Sequence, residues 1–238
     1  MKVKFILLII FVMFIGYNYA FAETIEINVL NIIKPNVENN ELASKAIAEL
    51  SDEYNEIRNN NQFNNVFYKK IEGFIKQYPD TTASISALLL IASMCFLEET
   101  YELYSGEGMK ILDYIISHYP NTAHFKYSLY SKALIKKEEG CPEDSLKLLR
   151  DNYEVIISID NDKNYIKMMK ELGNTNITEK FSSEYYLILG LIYFDLNNTT
   201  DCVDMMNKII NDYPGTNASK EAKRIIDTAQ KLNTPSKL

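Results

Sequence analysis

The chain is predicted to be an all-α solenoid of about four helix pairs closed by a C-terminal capping helix, and three observations predict it. One short punctuation recurs, as YPDTTAS at 78–84, YPNTAHF at 119–125 and YPGTNAS at 213–219. Each copy follows the end of an amphipathic stretch, FIKQ, IISH and IIND, and from Glu41 onward apolar residues recur at helical rather than strand spacing. The segment Tyr186–Pro214 sets Tyr186, Leu189, Gly190 and Tyr193, then Cys202 and Met206, then Pro214, at offsets that place them on the facing sides of two successive helices.

Residues 1–22 carry Lys2 and Lys4, an unbroken apolar run from Phe5 to Ile15, and Ala20-Phe21-Ala22 at the end, the pattern of a secretory signal peptide. Gly16, Tyr17, Asn18 and Tyr19 interrupt the run, which favours cleavage over an uncleaved anchor. Membrane contact is expected only if the segment is uncleaved. No Cys stands near the cleavage site, so a lipid-anchored form is not expected, and the product is periplasmic or secreted. Removing this segment takes away two lysines and no acid, carrying the formal charge from −7 to −9. Such a surface suits neither nucleic acid nor anionic lipid, both of which call for cations.

Residues 23–40 alternate at Ile25, Ile27 and Val29, then break at Pro35 and a run of asparagines. They read as an extended N-terminal arm, either a flexible leader left after processing or a segment laid along a groove. Repetition starts at residue 41 and is expected to run to 232. Ala43, Ala46, Ile47, Leu50, Tyr54 and Ile57 stripe a first helix, stopped by Asn59-Asn60-Asn61; a second carries Val66, Phe67, Ile71, Phe74 and Ile75 up to Tyr78-Pro79. Proline disfavours helical geometry in the residue before it, so that helix ends there. At each mark the proline closes one helix, the next residue turns the chain, and a Thr or Asn side chain caps the following helix.

After the first mark, Ser84–Glu98 forms a helix with Leu88, Ile91, Ala92 and Cys95 inside, ETYELYSGEG forms an enlarged turn, and Gly106–Tyr119 forms the helix paired with it. After the second, a helix spans about 122–138, and Pro142, with Glu143 and Asp144 beside it, opens its partner PEDSLKLLRDNYEVIIS. Residues 158–182 interrupt the pattern with one short stripe, Tyr165, Met168, Met169 and Leu172, ending at Gly173. The pair containing Tyr186–Pro214 follows. Ala218, Ala222, Ile225, Ile226, Ala229 and Leu232 then stripe a capping helix, with Lys220, Lys223 and Arg224 opposite, and residues 233–238 are a tail.

Tyr186–Pro214 resembles one tetratricopeptide (TPR) repeat, with Tyr for Trp, Cys for Ala and Met for Phe at three of the pattern positions. Against the roughly 34-residue period of that family, the second unit is stretched and residues 158–182 are inserted ahead of the fourth. The resemblance implies a TPR-like α-solenoid in which the first helix of each pair, helix A, lines a concave face. The YP-x-T-x-A spacing together with export is similar to periplasmic TPR proteins of outer-membrane assembly and of Tol-Pal association. This chain lacks the lipobox of the former and the N-terminal coiled coil of the latter.

Catalytic motifs are wanting. His118 and His124, the only histidines, stand in no zinc spacing, and neither a G-x-S-x-G serine, a glycine-rich phosphate loop nor a CxxC pair is present. Cys95, Cys141 and Cys202 are odd in number, and Cys95 and Cys202 read as small buried apolar residues. Neither an enzyme, a metal nor a cofactor is therefore expected, and the resemblance points to a protein or peptide partner held in the groove. On it the groove positions are Ser86, Leu89, Ser93 and Phe96 in the second repeat, Tyr127, Tyr130, Leu134, Lys137 and Glu138 in the third, and Glu184, Leu187, Leu191, Phe194 and Asp195 in the fourth. The contact candidates are Phe96, Tyr127, Tyr130, Leu134, Leu187, Leu191 and Phe194, an apolar and aromatic set of the kind enriched at interfaces. Only Lys137 could serve a basic clamp. The expected role is a non-catalytic interaction scaffold of the bacterial cell envelope. The alternatives are an enzyme or enzyme accessory that uses the insertion, or a self-assembling structural protein.

Overall fold

The structure, a computed structural model, describes residues 29–33, 37–58, 65–97, 101–174 and 180–232. The expected signal peptide at 1–22, the start of the arm and the tail at 233–238 lie outside the described residues. Eleven α-helices follow in order among the described residues: α1 Glu41–Arg58, α2 Asn65–Gln77, α3 Thr82–Cys95, α4 Tyr101–His118, α5 Ala123–Glu138, α6 Pro142–Asp151, α7 Tyr153–Ile157, α8 Lys163–Glu171, α9 Phe181–Asp195, α10 Thr199–Asp212 and α11 Asn217–Leu232. Short 3₁₀ turns lie at Val29–Asn31 and Ser158–Asn161. Packing of neighbours in pairs makes this a TPR-like α-solenoid. Helices α1, α3, α5, α9 and α11 touch one another in succession as the row of helices A, and α2, α4, α6 and α10 back them.

The three marks share one hydrogen bond. Thr81, Thr122 and Thr216 each donate through Oγ1 to the carbonyl of Tyr78, Tyr119 and Tyr213, at 3.0, 2.8 and 2.8 Å. This ties the end of one helix to the start of the next. Thr122 and Thr216 also cap the new helix by accepting from the amides of Phe125 (3.1 Å) and Ser219 (3.0 Å). The first mark differs: Thr81 makes no such cap and instead faces the arm in a parallel bridge with Glu38. There the Glu38 amide donates to the Asp80 carbonyl (2.8 Å) and the Thr82 amide to the Glu38 carbonyl (3.1 Å). The described part of the arm is therefore docked on the first mark and α4. Val29 and Ile33 are buried, and Tyr114 of α4 donates to the Ile33 carbonyl at 3.4 Å.

Three local expectations are corrected. Helix α4 begins at Tyr101, so most of the segment read as an enlarged turn is helical and both its glycines lie within the helix. At Gly108 the reason is close approach: a Cβ there would stand 2.7 Å from Phe96 Cζ and 2.9 Å from Cys95 Cβ. The helix opened by Pro142 ends at Asp151, where Asn152 (φ −118°, ψ 19°) turns its side chain back to the Leu148 carbonyl at 2.9 Å and separates α6 from α7. Val66, placed on the buried stripe of α2, is 65% exposed, while Phe67, Ile71, Phe74 and Ile75 are buried as that stripe requires.

Candidate functional site

The concave face built by helices A is not empty. The inserted helix α8 makes its principal contacts with α1, α3 and α5, all of them helices A, and so lies inside the groove. Its stripe explains the seating: Tyr165, Met168 and Met169 are buried and Leu172 is partly so. Burial of side chains of this size stabilises by roughly 1.5–3 kcal/mol each. The insertion is held at both ends. Asp160 accepts from the Ser182 amide (3.3 Å) and hydroxyl (2.5 Å), closing its entry onto its exit. Asp162, which caps α8 by accepting from the Asn164 amide (3.0 Å), forms a largely shielded ion pair with Lys126 of α5 at 2.9 Å.

At the other end of α8, Glu171 is only 3% exposed. Its carboxylate accepts from Ser44 Oγ of α1 (2.7 Å) and Ser86 Oγ of α3 (2.6 Å), with Lys167 Nζ at 3.8 Å. Ser51 Oγ donates to its backbone carbonyl. A carboxylate withdrawn from water is tolerated only when its lone pairs are met, and hydroxyls from two repeats meet them here. Ser86 gives its single proton to Glu171, so it accepts from Nε2–H of His124, 2.8 Å away. That imidazole therefore cannot act as a base toward Ser86, and the trio is a buried hydrogen-bond chain. Burial pushes the His124 pKa down to about 3, against the opposing Asp162 carboxylate and with help from Lys167.

Helix α8 stops at Gly173, whose φ of +76° ends it and whose missing side chain lets the backbone lie against α1. A Cβ there would be 2.5 Å from Asn55 Nδ2 and 3.2 Å from Ser51 Cβ. Beyond that point the groove continues unfilled, as a cleft of about 320 Å³ lined by Tyr54, Leu89, Ser93, Tyr127, Leu172 and their neighbours. Among the described residues, no charged side chain lines it.

The groove positions expected from the sequence divide accordingly. Leu89, Ser93 and Tyr127 line the open cleft, while Ser86 lies under Glu171. Tyr130 is 8% exposed, with its ring edge-on to Phe181 at 4.7 Å, and Tyr165 of α8 meets the same Phe181 at 5.8 Å. Burial drives the Tyr130 and Tyr165 hydroxyl pKa values upward. Leu187 is buried, whereas Leu134, Leu191 and Phe194 are half-buried. Phe96 is spent on the α3–α4 contact, over Gly108 and 6.3 Å from the Tyr101 ring. Lys137, the one basic candidate, is paired at 3.2 Å with both Glu138 and Asp195. Cys95 and Cys202 are fully buried and, like Cys141, free, with burial raising the Cys95 thiol to about 12. His118 stacks on Tyr114 at 4.0 Å, while His124 is turned to Ser86 at the groove.

Sequence reasoning named no residue of α8 as part of the groove, nor Tyr54, Asn55 or Glu171. The usable signal was the serine series on helices A: Ser44, Ser51 and Ser86 are hydroxyls on otherwise apolar stripes, and buried hydroxyls need partners.

A tetratricopeptide-repeat family profile matches residues 184–216, which covers most of α9, all of α10 and the first part of the third mark. No curated protein and no solved structure matches the chain. A TPR repeat is thus present in an α-solenoid, a fold that generally mediates protein–protein binding and is typically non-catalytic.

Proposed function

We propose that this chain is a non-catalytic interaction scaffold of the bacterial cell envelope, exported by residues 1–22, that takes a protein or peptide partner in the apolar and aromatic groove of its TPR-like solenoid. Its likeness to the periplasmic TPR proteins of outer-membrane assembly and Tol-Pal association belongs to this proposal and rests on the YP-x-T-x-A marks and the leader. One observation carries the reading: the cleft between α1, α3 and α5, whose described lining carries no charge and whose tyrosine, leucine and methionine walls have the composition of a protein-binding hot spot.

The test has two arms. N-terminal sequencing of the chain recovered from the envelope fraction is expected to begin at Glu23, and recovery from the cytosol alone would remove the export claim. A photo-crosslinking residue at Asn174, on the cleft rim, is expected to trap a discrete partner in cells, and the adduct is expected to disappear in a Tyr127→Ala, Leu172→Ala background. An adduct unchanged by those substitutions, with helicity intact, would show that the cleft is not the contact.

A further inference from the structure

We infer that the groove is a receptor for an amphipathic helix bearing a carboxylate, that α8 is its built-in competitor, and that the partner is a longer helix of the same pattern. The inference deepens the scaffold reading and rests on it.

Four features of the groove lead there. Helix α8 occupies the concave face as a foreign ligand would, touching helices A from three repeats. Its contacts are also selective. Tyr165, Met168 and Met169 supply an apolar stripe that any amphipathic helix could offer, but Glu171 enters a fitted site. Ser44 and Ser86 converge on its two oxygens at 2.7 and 2.6 Å, and His124 fixes Ser86 from behind at 2.8 Å. A shielded carboxylate contributes less to stability than an apolar residue of similar volume, and its best-attested use is to set register and identity.

The track is also longer than its occupant. Moving from Glu171 toward the cleft, the walls advance in step by one or two helical turns: Ser51 to Tyr54 and Asn55 on α1, Ser86 to Leu89, Leu90 and Ser93 on α3, His124 to Tyr127 on α5. Helix α8 ends at Glu171, the chain turns at Gly173 where this stretch begins, and among the described residues about 320 Å³ is left open. A helix in the same register that continued past the Gly173 position would keep every α8 contact and bury the cleft as well. Finally, α8 has nine residues, too few to hold helical form alone in water, so once displaced it does not compete as a preformed helix.

The probe is a fluorescein-labelled peptide of residues 162–174, DKNYIKMMKELGN, together with a version extended at its C-terminus by two helical turns with leucine on the same face and Ala in place of Gly. Binding is measured by anisotropy to the full chain and to a Met168→Asp variant, which unseats α8 while leaving the groove walls untouched. The extended peptide is expected to bind the variant about tenfold or more tighter than it binds the unaltered chain, and a Glu171→Gln peptide to bind about tenfold more weakly, as loss of charge-assisted hydrogen bonds requires. A variant that keeps its helicity but does not bind, or a Glu171→Gln peptide that binds equally well, overturns the proposal.

Hydrogen exchange on the unaltered chain covers the case in which Met168→Asp fails to fold. Amides of α8 are expected to exchange through an opening that leaves α3 and α5 protected. Exchange of α8 only with global unfolding would show that it is a fixed part of the core. These assays use purified components, so they can fail while the envelope reading stands, and an absence of envelope partners would leave their result unchanged.

Discussion

Between α9 and α10 the contact is apolar and close. Cys202, Met206 and Ile209 are fully buried, and a Cβ at Gly190 would run into Met206 Cε and stand 3.3 Å from Met205 Cβ. Between α8 and the groove the contact is mixed: a methionine and tyrosine stripe at one level, and at the next a carboxylate held by serines with a histidine behind them. The regular pair has nothing to specify beyond its own packing, so shape alone suffices. The seating of α8 uses directional groups as well as area, and directional groups select an occupant better than area does.

The comparison can be broken most severely by acid. His124 is neutral in the folded chain down to about pH 3, whereas in the unfolded chain it takes up a proton near its ordinary value of about 6.5. The unfolded state therefore binds more protons between those limits. Stability is full above the upper one and falls as pH drops through the window, by up to about 5 kcal/mol. Urea titrations at pH 7 and pH 4 are expected to show this loss in the native chain and a smaller one in His124→Gln, with α9–α10 unaffected locally.

Gly190→Val strikes the other region. It forces Met206 out of its place and is expected to cost about 3 kcal/mol by overpacking, read as a lower urea midpoint at unchanged slope. Ser86→Ala returns to the groove, where it leaves Glu171 short of a donor and His124 Nε2 without an acceptor. A loss of about 2 kcal/mol is expected, appearing first as faster hydrogen exchange in α8. The smallest effect belongs to Lys137→Met. Its pairs with Glu138 and Asp195 involve carboxylates that are 65% and 41% exposed, so the change is expected to stay below about 1 kcal/mol and to vanish in high salt.

The same contrast decides what could be read beforehand. The marks and the Tyr186–Pro214 offsets are local grammar, and they carried the helix pairs, the threonine hydroxyls at the turns, the buried Cys95 and Cys202, and the close approach at Gly190. Placement of the insertion was not legible, because a stripe of Tyr165, Met168, Met169 and Leu172 looks the same whether it packs on the concave or the convex side. Glu171, in a KEL triplet, reads as a solvated charge until the serines around it are seen. Gly106 and Gly108 suggested a turn because glycine marks both turns and tight contacts; at Gly108 only tertiary packing against Phe96 distinguishes them, and nothing within 4 Å explains Gly106. The break at Asn152 has neither proline nor glycine to announce it. The aromatic candidates were recognised as a group, yet Tyr130 went to the floor of the groove and Tyr127 to its open part, a difference set by where Phe181 and α8 arrive.

The arm gives the groove a latch. Asn39 Oδ1 accepts from Thr82 Oγ1 at 3.1 Å and from Lys167 Nζ at 2.9 Å, so one oxygen joins the N-terminal arm, the start of the second repeat and the helix lying in the concave face. Glu38, its neighbour, is stitched to the first mark through the backbone. Peeling residues 37–40 away would leave Lys167 only its pairing with Glu171 on α8 itself, and would strip the first mark of the partner that replaces its missing cap. Whatever grips the chain at residues 37–40 therefore also bears on how firmly α8 is held in the groove.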